Sequence, residues 1–211
     1  MAGCCARDYE KVFGRKTASR DARKFRAHGL RGSAKELAAM AGDVRGASVL
    51  EVGGGVGAIE LELLAAGAER ATNVELAASY EDEAAALARE RRVEDRVERR
   101  IADFVAEAEM FEPHDVVVMH RVVCCYPDVD AMVGAGADHA RRRLLLTYPQ
   151  ERRVFRIALA VMNALMRVRG STFQVYVHPR ARIDAAAAAH GLALERRRRH
   201  RFLWESAAYA R

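Results

Sequence analysis

The sequence predicts an α/β fold: a mostly parallel central sheet with helices on both faces, an antiparallel terminal hairpin, and an N-terminal helical preface. Three observations predict it. Apolar runs of strand length alternate with helical patterns, which demands parallel strands joined by right-handed crossovers. The first run, Val49-Leu50-Glu51-Val52, ends in Gly53-Gly54-Gly55-Val56-Gly57 and passes into the helical stretch 58–64. Strand, glycine turn and helix in that order let a backbone approach a nucleotide closely. The last two extended runs, 193–199 and 202–210, are adjacent and read as an antiparallel hairpin at the sheet edge.

The elements follow in order. Residues 7–30 read as irregular helix with Tyr9, Val12, Phe13 and Phe25 as apolar anchors, broken by Gly29 and Gly32. Ser33-Ala34-Lys35-Glu36 has capping-box spacing and predicts a helix to about Met40. Residues 1–45 thus form a helical extension, and 46–211 the sheet domain. Strands are expected at 71–76, 97–101, 115–119 and 144–148, the fourth of the sheet (115–119) buried on both faces by its composition. Helices are expected from Ser79 to about Arg92, from Asp128 to about Ala140, over 150–168, and from Pro179 to His190. A short extended segment is expected at 173–177.

The 211 residues suit one domain with a substantial core, and 51% hydrophobic with 30% charged residues is an ordinary globular balance. The first eight residues lack the apolar core of a secretory signal. The longest nearly apolar run, 157–166, is far short of the roughly 20 residues that cross a bilayer. A soluble, cytoplasmic protein is expected. The net charge of +6 is spread along the chain, and its densest run, Arg196-Arg197-Arg198-Arg199-His200-Arg201, has no interleaved aromatics. It reads as a solvated edge strand, so nucleic acid is not the expected partner. Cys4-Cys5 and Cys124-Cys125 lack the two-residue gap of common zinc sites, so neither a metal site nor a structural disulfide is expected. They read as small buried residues or, alternatively, as one thiol cluster formed by both pairs.

The glycine loop meets two patterns. Residues 53–58 satisfy the dinucleotide fingerprint with alanine in the last place. Residues 51–57 also satisfy Glu-x-Gly-x-Gly-x-Gly. Here the chain resembles the class I S-adenosylmethionine-dependent methyltransferases, over residues 45 to 211, and the resemblance implies their Rossmann-like fold. It implies that Glu51 with Gly53, Gly54, Gly55 and Gly57 supports the amino-acid part of S-adenosylmethionine. Glu75, with Leu76 beside it, would accept the ribose hydroxyls, although dinucleotide folds place an acid similarly. Asp103 would accept the adenine amine with Phe104 against the ring, and His120 would lie at the methionine end. The terminal hairpin suits this family also. The stretch 121–127, with Cys4-Cys5, is similar to that of bacterial small-molecule methyltransferases akin to the magnesium-protoporphyrin O-methyltransferases.

The activity so implied is in-line methyl transfer to a small molecule, on an oxygen such as a carboxylate. Holding donor and acceptor in line can supply about 7–11 kcal/mol. A carboxylate acceptor needs no base; a hydroxyl does, and His120 is the best-positioned candidate, with Tyr126 and His178 behind it. The alternative for His120, favoured over the base, is a cofactor-shelf residue that only packs or hydrogen-bonds. Arg121 can pair with an acceptor carboxylate, or form a structural ion pair. The Asn/Asp-Pro-Pro-Tyr sequence of adenine methylators is missing after the fourth strand. Two other classes stay open: a nucleic-acid methyltransferase using the basic surface, and an inactive S-adenosylmethionine-binding protein. The helix at 152–169 is apolar on most of its circumference, which predicts burial on the sheet. Otherwise its face covers an acceptor pocket, a homodimer partner or a membrane surface.

Overall fold

The computed structural model describes residues 6–211, with side chains from Tyr9 onward, so Cys4 and Cys5 lie outside the described residues. Seven strands form one sheet: β1 (Ser48–Val52), β2 (Arg70–Glu75), β3 (Val97–Ile101), β4 (His114–His120), β5 (Ala140–Pro149), β6 (Ala193–Arg199) and β7 (Trp204–Ala210). Their order is β3-β2-β1-β4-β5-β7-β6. The first five strands are parallel, while β7 runs antiparallel between β5 and β6. The strand order reverses between β1 and β4, the point where ligands bind in open α/β sheets.

Successive side chains on a strand point to opposite faces, and the core divides accordingly. On one face Val49, Val116, Val118 and Leu145 meet Ala18, Phe25, Leu37, Ile59 and Leu87. These come from α2 (Arg15–His28), α3 (Gly32–Met40), α4 (Ala58–Ala65) and α5 (Glu81–Arg91). On the other face Leu50, Val117, Leu144 and Leu146 meet Met132, Val133, Ile183 and Ala187. Those belong to α6 (Val129–Asp138) and α8 (Arg180–Ala189). The N-terminal helices therefore share one core with the sheet.

Several boundaries differ from the sequence reading, each for a local reason. The first helical stretch is two helices, α1 (Ala6–Val12) and α2, parted at Gly14. A Cβ there would stand 2.8 Å from the Glu10 carbonyl oxygen. β7 begins at Trp204, because residues 200–203 turn around the Gln150 amide, which donates to the carbonyls of His200 (2.8 Å) and Trp204 (3.0 Å). Residues 173–177 join no ladder; the Asn163 side chain holds Val175 at both its backbone groups instead, at 2.8 and 2.9 Å. The arginine run is the edge strand β6. Three of its members are paired: Arg197 with Asp184 and Glu205, Arg198 with Glu36, and Arg199 with Glu205.

The largest departure is α7 (Arg153–Val168). An all-round apolar helix was expected to be buried on the sheet, yet none of its residues is buried. Val154, Ile157, Val161, Leu165 and Val168 are each more than half exposed. The sheet faces are already covered by α2–α6 and α8, so no apolar surface is left there for α7.

Candidate functional site

A cavity of about 860 Å³ opens at the carboxyl ends of β1, β2 and β4. Small-molecule sites commonly measure ~300–1,000 Å³. Of the residues singled out in the sequence, Glu51, Gly53, Gly54, Gly55, Glu75, Leu76, Asp103, Phe104, His120, Arg121 and Tyr126 all line it. Gly57 and His178 do not.

The loop after β1 has the chemistry its glycines suggest. Gly53 sits at φ +62°, and a Cβ on it would come within 2.5 Å of a Val122 methyl. Gly57 sits at φ +75° as the first residue before α4, where a Cβ would run into the Glu60 carboxylate. Gly57 starts the helix, between Val56 and Ala58, which line the cavity.

Beneath the loop lies a polar row that the sequence did not reveal. Glu51, Asn73 and Arg99 are cross-strand neighbours on β1, β2 and β3, and Glu60 of α4 reaches over them. Glu51 Oε2 accepts the Glu60 backbone N–H at 2.8 Å. A strand carboxylate thereby caps α4, whose leading residue Gly57 has no side chain to do so. Glu60 Oε2 accepts from the Asn73 amide at 2.9 Å, and the Arg99 guanidinium lies 3.8 Å from Oε1. Arg99 also donates to the Gly55 carbonyl at 3.0 Å and to Glu81 at 2.9 Å, clamping the loop from below. Burial raises the Glu60 carboxyl to about 7, and burial together with the Glu60 charge raises Glu51 well above the carboxylate range. Within the described residues Glu51 Oε1 takes no hydrogen bond.

Glu75 is more engaged than expected. Its Oε1 accepts from the backbones of Leu76 (2.8 Å) and Ala77 (2.9 Å), and its Oε2 from Gly55 (2.9 Å). Each carboxylate oxygen has two acceptor positions, so the carboxylate as it stands has one left, on Oε2. Asp103 Oδ1 caps the turn after β3 by accepting from Val105 (3.1 Å) and Ala106 (3.3 Å). Its Oδ2 takes no hydrogen bond within the described residues. Phe104 is buried, with its ring 5.8 Å from Phe111 and edge-on to His139.

His120 and Arg121, at the end of β4, meet at a residue the sequence reading assigned otherwise. Ser33 does not cap α3; it lies inside the first turn, buried, while Arg31 occupies the cap. Its hydroxyl lies 3.0 Å from His120 Nε2 and accepts from Arg121 Nη2 at 3.0 Å. Burial, with Arg121 and His200 nearby, pushes the His120 imidazolium down to about 3. The ring is therefore neutral near pH 7 and a poor proton acceptor. Arg121 adopts φ +63°, a left-handed backbone uncommon outside glycine. Its guanidinium stacks 4.4 Å over the Trp204 ring and has no carboxylate partner among the described residues.

Tyr126 presents its carbonyl to His178 Nε2 at 3.0 Å, and His178 stacks on Tyr176. That bond ties His178 to the chain away from the cavity. Cys124 and Cys125 are buried thiols 3.8 Å apart, each directed at the Arg121 carbonyl. Cys125 lines the cavity and packs with Phe173. No group of three or more histidine, cysteine or acidic side chains among the described residues is arranged to hold a metal ion.

No protein-family model and no curated protein matches this sequence. Solved structures do match its fold. A magnesium protoporphyrin IX methyltransferase from Synechocystis with bound S-adenosylhomocysteine aligns with a TM-score of 0.65 at 20% identity, covering 100% of this chain and 89% of that one. An S-adenosylmethionine-dependent methyltransferase from Mesorhizobium loti aligns at 0.66 with 13% identity, covering 85% and 99%. A geranyl diphosphate C-methyltransferase from Streptomyces coelicolor, in complex with Mg²⁺, geranyl diphosphate and S-adenosylhomocysteine, aligns at 0.67 with 15% identity, covering 84% and 76%. Sheet order, terminal hairpin and these alignments agree: the chain has the fold of the class I S-adenosylmethionine-dependent methyltransferases.

Proposed function

We propose that this chain binds S-adenosylmethionine in the cavity above the glycine loop and transfers its methyl group to a carboxylate oxygen of a small, largely apolar acid. The observation that carries the reading is the convergence of open acceptors on one cavity. Glu51 Oε1, the remaining position on Glu75 Oε2, and Asp103 Oδ2 all belong to residues lining it. They suit an ammonium, whose positive charge would draw the proton off Glu51, a ribose hydroxyl and an adenine amine respectively. The backbone of residues 53–55, with no side chains, leaves room for the methionine portion.

When bound, the cofactor supplies an electrophilic methyl group on a sulfonium. The chain's own residues then orient and shield. Ser33 holds His120 and Arg121 in register, and Trp204 backs the Arg121 guanidinium, which is left to bind an anion. A carboxylate acceptor is already ionised near pH 7 and needs no base. This fits His120, whose low basicity makes it a poor partner for a hydroxyl acceptor. We read it as a residue that shapes the methionine end of the cavity. Tyr126, on the same wall, is read as part of the acceptor side.

The acids paired with Arg197, Arg198 and Arg199 reduce the net positive charge that β6 offers to nucleic acid. Titration calorimetry with S-adenosylmethionine and S-adenosylhomocysteine tests the first half; no heat of binding in a folded sample sinks it. Labelled cofactor offered to a panel of carboxylic acids tests the second. Label found only on hydroxyl, amine or RNA acceptors would overturn the carboxylate reading.

A further inference from the structure

We infer that the exposed face of α7, with the neighbouring turn 200–203, docks on an anionic lipid surface. Val154, Ile157, Val161, Leu165 and Val168 recur at three- and four-residue spacing and form one exposed apolar row. The row runs along a helix of 16 residues, about 24 Å at 1.5 Å per residue. Exposed Phe202 lies in the turn near the start of α7, where the Gln150 backbone N–H donates to the Leu203 carbonyl at 2.6 Å.

Charge identifies the occupant. Arg152, Arg153 and Arg156 stand at one end of the helix, Arg167 and Arg169 at the other, and Arg201 beside Phe202. No acidic residue occurs between Glu151 and Asp184, and Glu151 is engaged with the Arg180 backbone. An apolar row flanked by arginines, on a helix that carries no acid, complements the boundary between acyl chains and anionic headgroups. A second copy of the chain is a poor fit. Aligning α7 with its own symmetry mate, parallel or antiparallel, sets arginine against arginine, and the helix itself carries no acid to relieve it. The helix lies on the surface rather than crossing it: among the described residues no helix is long and apolar enough to span.

The opposite side of α7 gives the docking a consequence. Met166 packs with Cys124, Cys125 and Phe173, and Cys125 also lines the cavity. One helix diameter, about 10 Å, therefore separates the proposed lipid surface from a wall of the site. An apolar acid dissolved in the lipid would have a short path to it.

The test is co-sedimentation of the full chain with vesicles of phosphatidylcholine alone and of phosphatidylcholine and phosphatidylserine in equal parts. Binding is expected to the mixed vesicles, about ten-fold or more weaker to the neutral ones. The double variant Ile157→Glu with Val161→Glu is expected to lose about ten-fold or more of that binding. Circular dichroism and thermal melting of the variant should match the parent, because both side chains are solvent-exposed. Phe202→Ser is a second, milder variant with the same expected direction. No binding to the mixed vesicles, or equal binding by the double variant, overturns the inference. So does light scattering that reports a dimer broken by the double variant, which would assign the face to a second copy. Binding instead to an acidic protein, without affinity for the vesicles, also overturns it.

Discussion

The hydroxyl of Ser33 lies 3.0 Å from His120 Nε2, joining the first turn of α3 to the end of β4 across 87 residues of sequence. The same hydroxyl accepts from Arg121, so its proton is available to the imidazole nitrogen. Its second lone pair is available as well, so the bridge suits either tautomer of the neutral ring. Ser33→Ala removes the hydroxyl that half-buried His120 and exposed Arg121 share, and a stability loss of about 0.5–1.5 kcal/mol is expected in urea denaturation. Wild-type stability in this variant would mean that the bridge contributes nothing.

His120→Gln separates positioning from base catalysis. A carboxylate acceptor predicts that turnover falls by less than about ten-fold, against the ~10²–10⁴-fold that loss of a general base costs. The parent's pH profile should show no His120-dependent inflection between roughly pH 6 and 8, since the imidazole titrates near 3. An inflection in that interval that disappears in His120→Gln would restore the base.

Arg121→Ala removes a cation that lacks a carboxylate partner among the described residues. Its loss should raise the acceptor KM by about 10- to 100-fold, the range expected for a hydrogen bond to a charged group. Affinity for S-adenosylmethionine should stay close to the parent's. A fall in cofactor affinity with an unchanged acceptor KM would transfer Arg121 to the donor side.

Glu75→Gln and Asp103→Ala should each weaken S-adenosylmethionine binding by about ten-fold, the worth of one charge-assisted hydrogen bond. Calorimetry reads both. Glu75→Gln should lose more than Asp103→Ala, because its carboxylate also holds the Gly55 backbone. Unchanged affinity in Asp103→Ala would count against the adenine assignment.

The buried acids make stability depend on pH. Glu60 titrates near 7 in the fold against its ordinary 4.5, and Glu51 shifts the same way. As pH rises the unfolded chain releases the Glu60 proton first, so the fold holds more protons through this window. Its contribution is full below about 4.5 and is lost as pH rises through about 7. Glu60→Gln should therefore gain stability relative to the parent between roughly pH 5 and pH 8. Urea midpoints measured across that range would refute the assignment if the two proteins ran in parallel.

Local pattern alone determined the order of strands and helices, the glycine turn and the terminal hairpin. These depend on hydrophobic period, glycine φ and turn chemistry, which are written into neighbouring residues. It also determined that Glu51, Glu75, Asp103 and His120 follow or close particular strands, and in this fold strand ends meet at one switch point. Tertiary structure alone decided what those residues touch. The row of Glu51, Asn73 and Arg99 needs the registers of three strands, which the sequence does not specify one by one. Ser33 reads as a helix cap until α3 packs against the end of β4 and turns its hydroxyl toward His120 and Arg121. The exposure of α7 could not be read either, because an apolar helix looks the same whether or not the sheet has a face left to cover it.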